Sequence, residues 1–233
     1  MIRAILFDFY DTLVYRDEDV SRQARLDIAR LLGVDIDRLN ALWRRHRDER
    51  MLGLIPTMAE YLAIAARELE IEVSPATVAE AVRIDRDSQR QSVHAYANTR
   101  RVLETLRRMW FKLGLLSNSS DSAQEPLIWL QLKSCFDTLV LSHEVGILKP
   151  DPRIYRLAAE RLAVAPEECA FVADGGFGEL DAAHELGMLA VKLEQERQSK
   201  DWGSSVHYDV LLGDIGELIP IAEAWRSSPE TGG

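Results

Sequence analysis

The chain has 233 residues, enough for one ordinary domain or for one domain that carries a modest insertion. Hydrophobic residues make up 47% of it, and the formal net charge is −10. This negative charge argues against nucleic acid or an anionic membrane surface as the main partner. The densest basic cluster has acidic neighbours, so we expect a solvated helix face there rather than a binding patch; it comprises Arg44, Arg45, Arg47 and Arg50.

We expect neither a targeting segment nor a redox site in this sequence. The chain runs from Met1 through Arg3 directly into an apolar stretch, so we expect no signal peptide. No apolar run approaches the length of a membrane-spanning helix. Cys135 and Cys169 lack metal or redox spacing, and we expect both to be reduced and buried. We therefore expect a soluble cytoplasmic protein with no membrane partner and a disordered tail at 227–233.

The first predicted element is a buried strand that ends on a carboxylate. Ile5, Leu6 and Phe7 form an apolar run, and Asp8 follows it before a short polar turn. Ligands of open α/β sheets bind at the carboxyl ends of the strands. Asp8 is therefore a candidate nucleophile or metal ligand.

Residues 17–95 show helix patterns and almost no strand signal. Val20, Ala24 and Ile28 recur at helical spacing before a stop at Gly33. Further helices are predicted around 39–43, around 58–65 and from Ser74 onward. We interpret 17–95 as a helical insertion that follows the candidate catalytic strand, either as a lid or as a stabilising subdomain.

From residue 97 onward, strand and helix signals alternate, which predicts a parallel sheet with crossover helices. The strand candidates span 113–116, 138–141, 170–172, 189–191 and 210–212. Asp151 before Pro152 is typical of a helix start, and Asp214 with Glu217 predicts a capping box. The predicted fold is an α/β, Rossmann-like parallel sheet core at 1–16 and 96–226 with the helical insertion.

Four predicted strand ends carry polar side chains. After Asp8 these are Ser117 with its neighbour Asn118, then Lys149, and finally Asp174 followed by a glycine-rich turn. Each has a simple structural explanation when it is considered alone. Together they supply a nucleophile, hydrogen-bond donors, a cation and a metal site, which is what transfer of an anionic group requires.

These strand ends, in this order and with this insertion, resemble the haloacid dehalogenase-like hydrolase superfamily over nearly the whole chain. The resemblance implies that Asp8 is the nucleophile, that Ser117 is the second-motif hydroxyl and that Lys149 is the third-motif cation. It implies that Asp174 and Glu179 are the fourth-motif acids. It also implies that the insertion is a helical cap between the first and second motifs.

The resemblance further implies a Mg²⁺ cofactor. The carboxylates of Asp8 and Asp174 and the main-chain carbonyl of Tyr10 would hold the ion, with Glu179 acting partly through water. The second-motif hydroxyl and the third-motif cation would bind the phosphoryl oxygens. Attack by Asp8 would then give an aspartyl phosphate, which water hydrolyses.

Tyr10 departs from the pattern of the family's phosphatases, which usually have a second Asp at this position as general acid and base. Such catalysis typically contributes about 10²–10⁴-fold. Asp11 is one residue away and would be a poor substitute. If the leaving group needs little protonation, the reaction does not require a general acid at this position.

The same Tyr is characteristic of the family's 2-haloacid dehalogenases, whose halide needs no acid. Arg44, in a segment similar to the dehalogenase cap, and Tyr155, six residues after Lys149, also favour that reading. Asp174 opposes it, because dehalogenases work without metal and lack this acid. Each residue also has a simpler explanation. Arg44 would be a surface charge, and Tyr155 would be a helix core residue.

We therefore predict a Mg²⁺-dependent phosphatase that acts on a small anionic, phosphorylated metabolite. The alternatives are a metal-independent 2-haloacid dehalogenase and a catalytically weak protein that binds a phosphorylated ligand. Candidate substrate-binding residues are Thr12, Asn118 and Arg44. The five histidines are scattered without ligand spacing and predict no competing site. The sequence predicts neither the substrate's identity nor the oligomeric state.

Overall fold

The computed structural model describes residues 1–195 and 207–227. The tail predicted at 227–233 lies outside the described residues except for Ser227, which ends the last helix. The strands, in chain order, are β1 Ala4–Phe7, β2 Val14–Arg16, β3 Val93–Ala95, β4 Lys112–Ser117, β5 Thr138–Leu141, β6 Cys169–Ala173, β7 Leu189–Leu193 and β8 Val210–Leu212.

Six of these strands form one parallel sheet in the order β5-β4-β1-β6-β7-β8. β1 lies in the interior of the sheet, hydrogen-bonded to β4 on one side and to β6 on the other. All four of its residues are fully buried, as expected for a strand covered on both faces. The predicted Rossmann-like parallel sheet is confirmed, and each predicted strand matches an observed one to within two residues at each end.

Two helical layers cover the sheet. The helices from this part of the chain are α6 Thr99–Arg108, α7 Gln124–Trp129, α8 Ser142–Val145, α9 Pro152–Arg161, α10 Glu179–Glu185 and α11 Leu218–Ser227. Ile5 and Phe7 of β1 pack with α6 and α11 on one face, whereas Leu6 packs with α9 and α10 on the other. Asp151 accepts a hydrogen bond from the backbone of Arg153, so α9 begins with the predicted side-chain cap.

The segment between β2 and β3 is entirely helical in its regular structure. Its helices are α1 Glu18–Leu32, α2 Ile36–Arg45, α3 Arg47–Met51, α4 Met58–Leu69 and α5 Pro75–Ser92. They enclose an apolar cluster of their own that includes Ile28, Leu39, Tyr61 and Leu62. Gly33 ends α1 at φ 66, a left-handed conformation that costs glycine little, as the sequence predicts.

β2 and β3 form an antiparallel pair that the sequence reading missed. Each strand has only three residues, too few to give a clear alternation of polar and apolar side chains. The pair brings the two connections to the helical segment side by side, with Val14 opposite Ala95 and Arg16 opposite Val93.

The helical segment also contacts the sheet region through α3. The Ser142 hydroxyl donates to the carbonyl of Met51 at 2.7 Å. Gly53 has φ 74, and a Cβ there would lie 2.2 Å from the carbonyl oxygen of His143, so only glycine allows this approach. Both predicted buried cysteines are buried and unbridged. Within the described ranges, no helix combines the length and apolar composition needed to cross a membrane.

Candidate active site

The carboxyl ends of β1, β4 and β6 lead into the polar groups that the sequence singles out. Asp8 follows β1, Ser117 ends β4, and Asp174 follows β6. Lys149 and Glu179 join them, the first from the loop before α9 and the second from the first turn of α10. A pocket of about 340 Å³ opens between this edge of the sheet and the helical segment, and all five residues line it. That volume suits a small molecule.

Lys149 joins two of the carboxylates. Its Nζ donates to Asp8 Oδ1 and to Glu179 Oε2, at 2.5 Å in both cases, and all three side chains are buried. Burial by itself lowers the pKa of Lys149, but the two adjacent carboxylates outweigh burial and raise it above its usual value. Lys149 is therefore a permanent ammonium ion between Asp8 and Glu179.

The site holds more buried acid than one lysine can neutralise. Oxygens of Asp8, Asp174 and Glu179 lie within 4.8 Å of one another, and each residue is at most 7% exposed. Burial raises the pKa of Asp8 and that of Glu179, with Lys149 opposing the shift in both. Three clustered carboxyl oxygens form a donor set that suits a hard divalent cation such as Mg²⁺. The residues present therefore fit the predicted metal.

Thr12 and Asn118 occupy positions that differ from their predicted contact with substrate. Thr12 is fully buried and lies outside the pocket wall; its Oγ1 accepts from the backbone of Asp174 at 3.1 Å and contacts Asp8 Oδ2 at 3.5 Å. Asn118 lines the pocket, but its amide bonds the Lys149 backbone twice, at 2.8 and 2.9 Å. Both residues therefore position the polar groups around them.

Ser117 and Tyr10 line the pocket. The Ser117 hydroxyl is buried and has no hydrogen-bond partner among the described residues, so it can donate to a bound anion. Burial raises the pKa of the Tyr10 hydroxyl, which keeps it protonated at neutral pH. The Arg16 guanidinium lies 4.9 Å from the centre of the Tyr10 ring.

The basic cluster of the helical segment divides in a way that corrects two predictions. Arg44 is exposed and does not line the pocket, contrary to its predicted role in substrate binding. Arg47 and Arg50 do line the pocket, so the cluster is more than a solvated helix face. α2 ends at Arg45 and α3 begins at Arg47, with His46 between them.

Aromatic rings hold the two arginines of the pocket wall. Arg50 is only 8% exposed, and its guanidinium lies 4.6 Å from the ring centre of Trp43 and 5.2 Å from that of Tyr61. Arg47 lies 4.5 Å from the ring centre of Phe177, which comes from the turn after β6. This contact joins the two sides of the pocket.

Tyr155 lies in the core and contacts the site through the main chain of Glu179. It is fully buried, and its hydroxyl donates to the main-chain carbonyl of Glu179 at 2.9 Å. Tyr155 is therefore a core residue of α9, which is the simpler explanation of its position in the sequence. The sequence reading missed Arg16, Trp43 and Phe177 as pocket residues; no spacing links them, because they lie on three separate elements.

Comparison with known proteins agrees with this geometry. A family model described as haloacid dehalogenase-like hydrolase matches residues 2–187. A glyceraldehyde 3-phosphate phosphatase of Methanopyrus kandleri is 31% identical over 199 residues, which cover 84% of this chain and 85% of the relative. An (S)-2-haloacid dehalogenase 4A of Burkholderia cepacia is 28% identical over 205 residues, which cover 84% of each chain.

Solved structures show the same fold. A 2-haloacid dehalogenase from Pseudomonas syringae superposes with a TM-score of 0.73 at 24% identity, and the match covers 97% of this chain and 100% of the other. The family match covers most of the chain and contains the predicted nucleophile, cation and acids. The chain is a hydrolase and belongs to the haloacid dehalogenase-like hydrolase family.

Proposed function

We propose that this hydrolase is a Mg²⁺-dependent phosphatase of a small phosphorylated metabolite, with Asp8 as its nucleophile. The observation that carries the proposal is the excess of buried acid, three carboxyl groups against the single ammonium of Lys149. A dehalogenase needs no second acid beside its nucleophile, and clustered carboxylates repel one another unless a cation joins them. The relative from Methanopyrus kandleri is named as a phosphatase.

The side chains divide the reaction between them. An Asp8 carboxylate oxygen attacks phosphorus, and the bond from phosphorus to the leaving oxygen breaks as the new bond forms. The Ser117 hydroxyl and the Lys149 ammonium donate to the phosphoryl oxygens as negative charge develops there. Water then attacks phosphorus, which releases inorganic phosphate and restores Asp8.

Asp8, Asp174, Glu179 and the main-chain carbonyl of Tyr10 would hold the Mg²⁺ ion. When bound, the ion offsets repulsion between the nucleophile and the anionic substrate. The Thr12 hydroxyl contacts both the Asp8 carboxylate and the backbone of Asp174, and so helps to hold these two residues next to each other.

The helical segment forms the opposite wall, and we assign it the role of a cap over residues 17–95, with the core at 1–16 and 96–226. Arg47 and Arg50 face the same pocket as the phosphoryl-binding groups. Cations there suit a substrate whose non-phosphate part carries an anionic or electron-rich group. The Arg47–Phe177 contact lies where the two walls meet.

The test is hydrolysis of an aryl phosphate by protein stripped of divalent ions. We expect activity with added Mg²⁺ and its loss in excess EDTA, with recovery when Mg²⁺ is restored. A protein carrying Asp174→Asn is the matched control, since it should remain inactive at every Mg²⁺ concentration that restores the wild type. Activity that EDTA leaves intact would refute the metal-assisted reaction.

Tyr10 and the dehalogenase relative favour a second candidate function, metal-independent removal of halide from a 2-haloacid. Halide release from 2-chloropropionate in EDTA, lost in Asp8→Asn, would support it over the phosphatase. Binding of a phosphorylated ligand without turnover in either assay would favour the third possibility, a non-catalytic binding protein.

A further inference from the structure

A second group of potential metal ligands lies away from the pocket. His184 comes from the last turn of α10, and Asp209 directly precedes β8, with His207 two residues earlier. Asp209 accepts a hydrogen bond from Ala190, near the start of β7, so the group lies at the amino ends of β7 and β8. In a parallel sheet that edge is opposite the one that carries Asp8. The sequence reading missed this group, because α10 and β8 are separate elements that only the fold brings together.

The three side chains converge on one carboxylate oxygen. Asp209 Oδ1 lies 3.7 Å from His184 Nδ1 and 3.8 Å from His207 Nε2. The two imidazole ring centres are 3.7 Å apart. Ligand atoms in a tetrahedral zinc site with bonds near 2.0–2.1 Å are separated by about 3.4 Å. In such a site the ring centres lie about 5 Å apart, so metal binding requires the two imidazoles to separate by roughly 1 Å or more, which their exposure permits.

A hydrogen bond orients one of the three ligands, and another holds the main chain of a second. Asp209 Oδ2 accepts from the backbone of Ala190 at 2.7 Å, which leaves Oδ1 directed toward the histidines. The backbone of His207 donates to Asp181 Oδ1 at 3.0 Å. Outer contacts of this kind fix the direction of metal ligands and raise affinity. The group is exposed, so water can fill the remaining coordination position.

We propose that His184, His207 and Asp209 form a transition-metal site that takes Zn²⁺ and lies apart from the phosphatase site. Two imidazoles and one carboxylate suit Zn²⁺, whereas the all-oxygen group at Asp8 suits Mg²⁺. The ion joins α10 to the chain that leads into β8. Because the ligands come together only in the folded protein, binding stabilises the fold.

The test is calorimetric titration of tag-free, metal-stripped protein with ZnCl₂ in excess Mg²⁺, together with thermal unfolding. Wild-type protein should bind one Zn²⁺ per chain at this site, and its Tm should rise. His184→Ala and His207→Ala should each weaken binding about tenfold or more and lose the rise in Tm, since even outer contacts typically account for about 10–100-fold. His94→Ala, another exposed histidine, should behave as wild type.

Two further variants separate this site from the catalytic one. Asp174→Asn should retain the Zn²⁺ isotherm, and His184→Ala should retain Mg²⁺-dependent hydrolysis. Equal Zn²⁺ affinity in wild type, His184→Ala and His207→Ala would overturn the proposal. So would loss of the Zn²⁺ isotherm in Asp174→Asn, because the ion would then bind beside Asp8. Both histidines are exposed, and Tm values without metal will show that the variants fold.

Discussion

The two walls of the pocket are built in different ways. On the sheet wall, Asp8, Ser117, Lys149, Asp174 and Glu179 are between 1% and 7% exposed. Backbone at the carboxyl edge of the sheet places each of them; hydrogen bonds link Lys149 to Asp8 and Glu179, whereas the Ser117 hydroxyl is left without a partner among the described residues. Such a wall keeps charged groups in place despite the cost of burial, because each is paired or clustered.

On the helical wall, the two cations pack against aromatic faces, and Arg50 also lies near the carboxyl group of Asp85. Arg50 lies against Trp43 and Tyr61, and Arg47 against Phe177. An arginine held by rings retains its hydrogen-bond donors for a ligand. The difference teaches that the sheet wall is suited to chemistry and the helical wall to selection of the substrate. Four experiments address this division.

The largest effect is expected at the sheet wall, from Asp8→Asn. The amide cannot attack phosphorus, so we expect kcat to fall by about 10⁴-fold or more. Measurement of phosphate release under saturating substrate checks this. Asp37→Asn, an exposed acid in α2, is the matched control and should retain wild-type activity. A variant at Asp8 that keeps a tenth of the activity would remove this residue from the role of nucleophile.

Tyr10→Asp tests whether the sheet wall lacks a general acid that can protonate the leaving group. The new carboxyl group should protonate a poor leaving group, so we expect kcat on alkyl phosphates to rise by about 10²-fold. Aryl phosphates should change much less, because their leaving groups need little protonation. Tyr10→Phe removes the hydroxyl without adding an acid and should give no rise. Equal rates for wild type and Tyr10→Asp on alkyl phosphates would contradict this account.

Arg50→Gln tests the helical wall. We expect KM for the physiological class of anionic substrate to rise by about tenfold or more with little change in kcat, because binding rather than chemistry is affected. Arg44→Gln is the matched control, since Arg44 lies outside the pocket and should leave both constants unchanged. A fall in kcat alone would place Arg50 in the chemical step and break the division between the walls.

The smallest expected effect is on the stability of the helical segment and involves His46. His46 contacts Glu49 through Nδ1 and Glu68 through Nε2, the latter at 2.8 Å. The hydrogen bond to Glu49 and the charge of both acids raise the pKa of His46 above its usual value. A raised pKa means that the folded state binds the proton more tightly, so this stabilisation is complete below about pH 6.5 and is lost as pH rises through the folded pKa.

Urea unfolding of wild type and His46→Gln checks this pH dependence. The difference in their free energies of unfolding should be larger at pH 6 than at pH 9. His94→Gln, whose ring is exposed, serves as the control and should show no such trend. A difference that grows toward pH 9 would reverse the predicted sign.

Much of the sheet wall could be predicted from the sequence. Apolar runs that end in a polar residue mark buried parallel strands, and the carboxyl ends of such strands meet at one edge. Asp8, Ser117 and Asp174 could therefore be placed together before the fold was known. The roles of Thr12 and Asn118 could not, because both depend on backbone groups of residues far away in the chain, at Asp174 and Lys149.

The sequence by itself determined the six strands of the parallel sheet, the helical character of the insertion and the chemical groups at the sheet edge, because these follow from local apolar periodicity and strand direction. Only the tertiary structure decided which arginines face the pocket and that His184, His207 and Asp209 converge. The direction of a helical side chain depends on how its helix begins and packs. Trp43, Arg47 and Arg50 share one helical stripe, and tertiary packing turns that stripe toward the pocket, while Arg44, about 100° around the helix, stays in solvent.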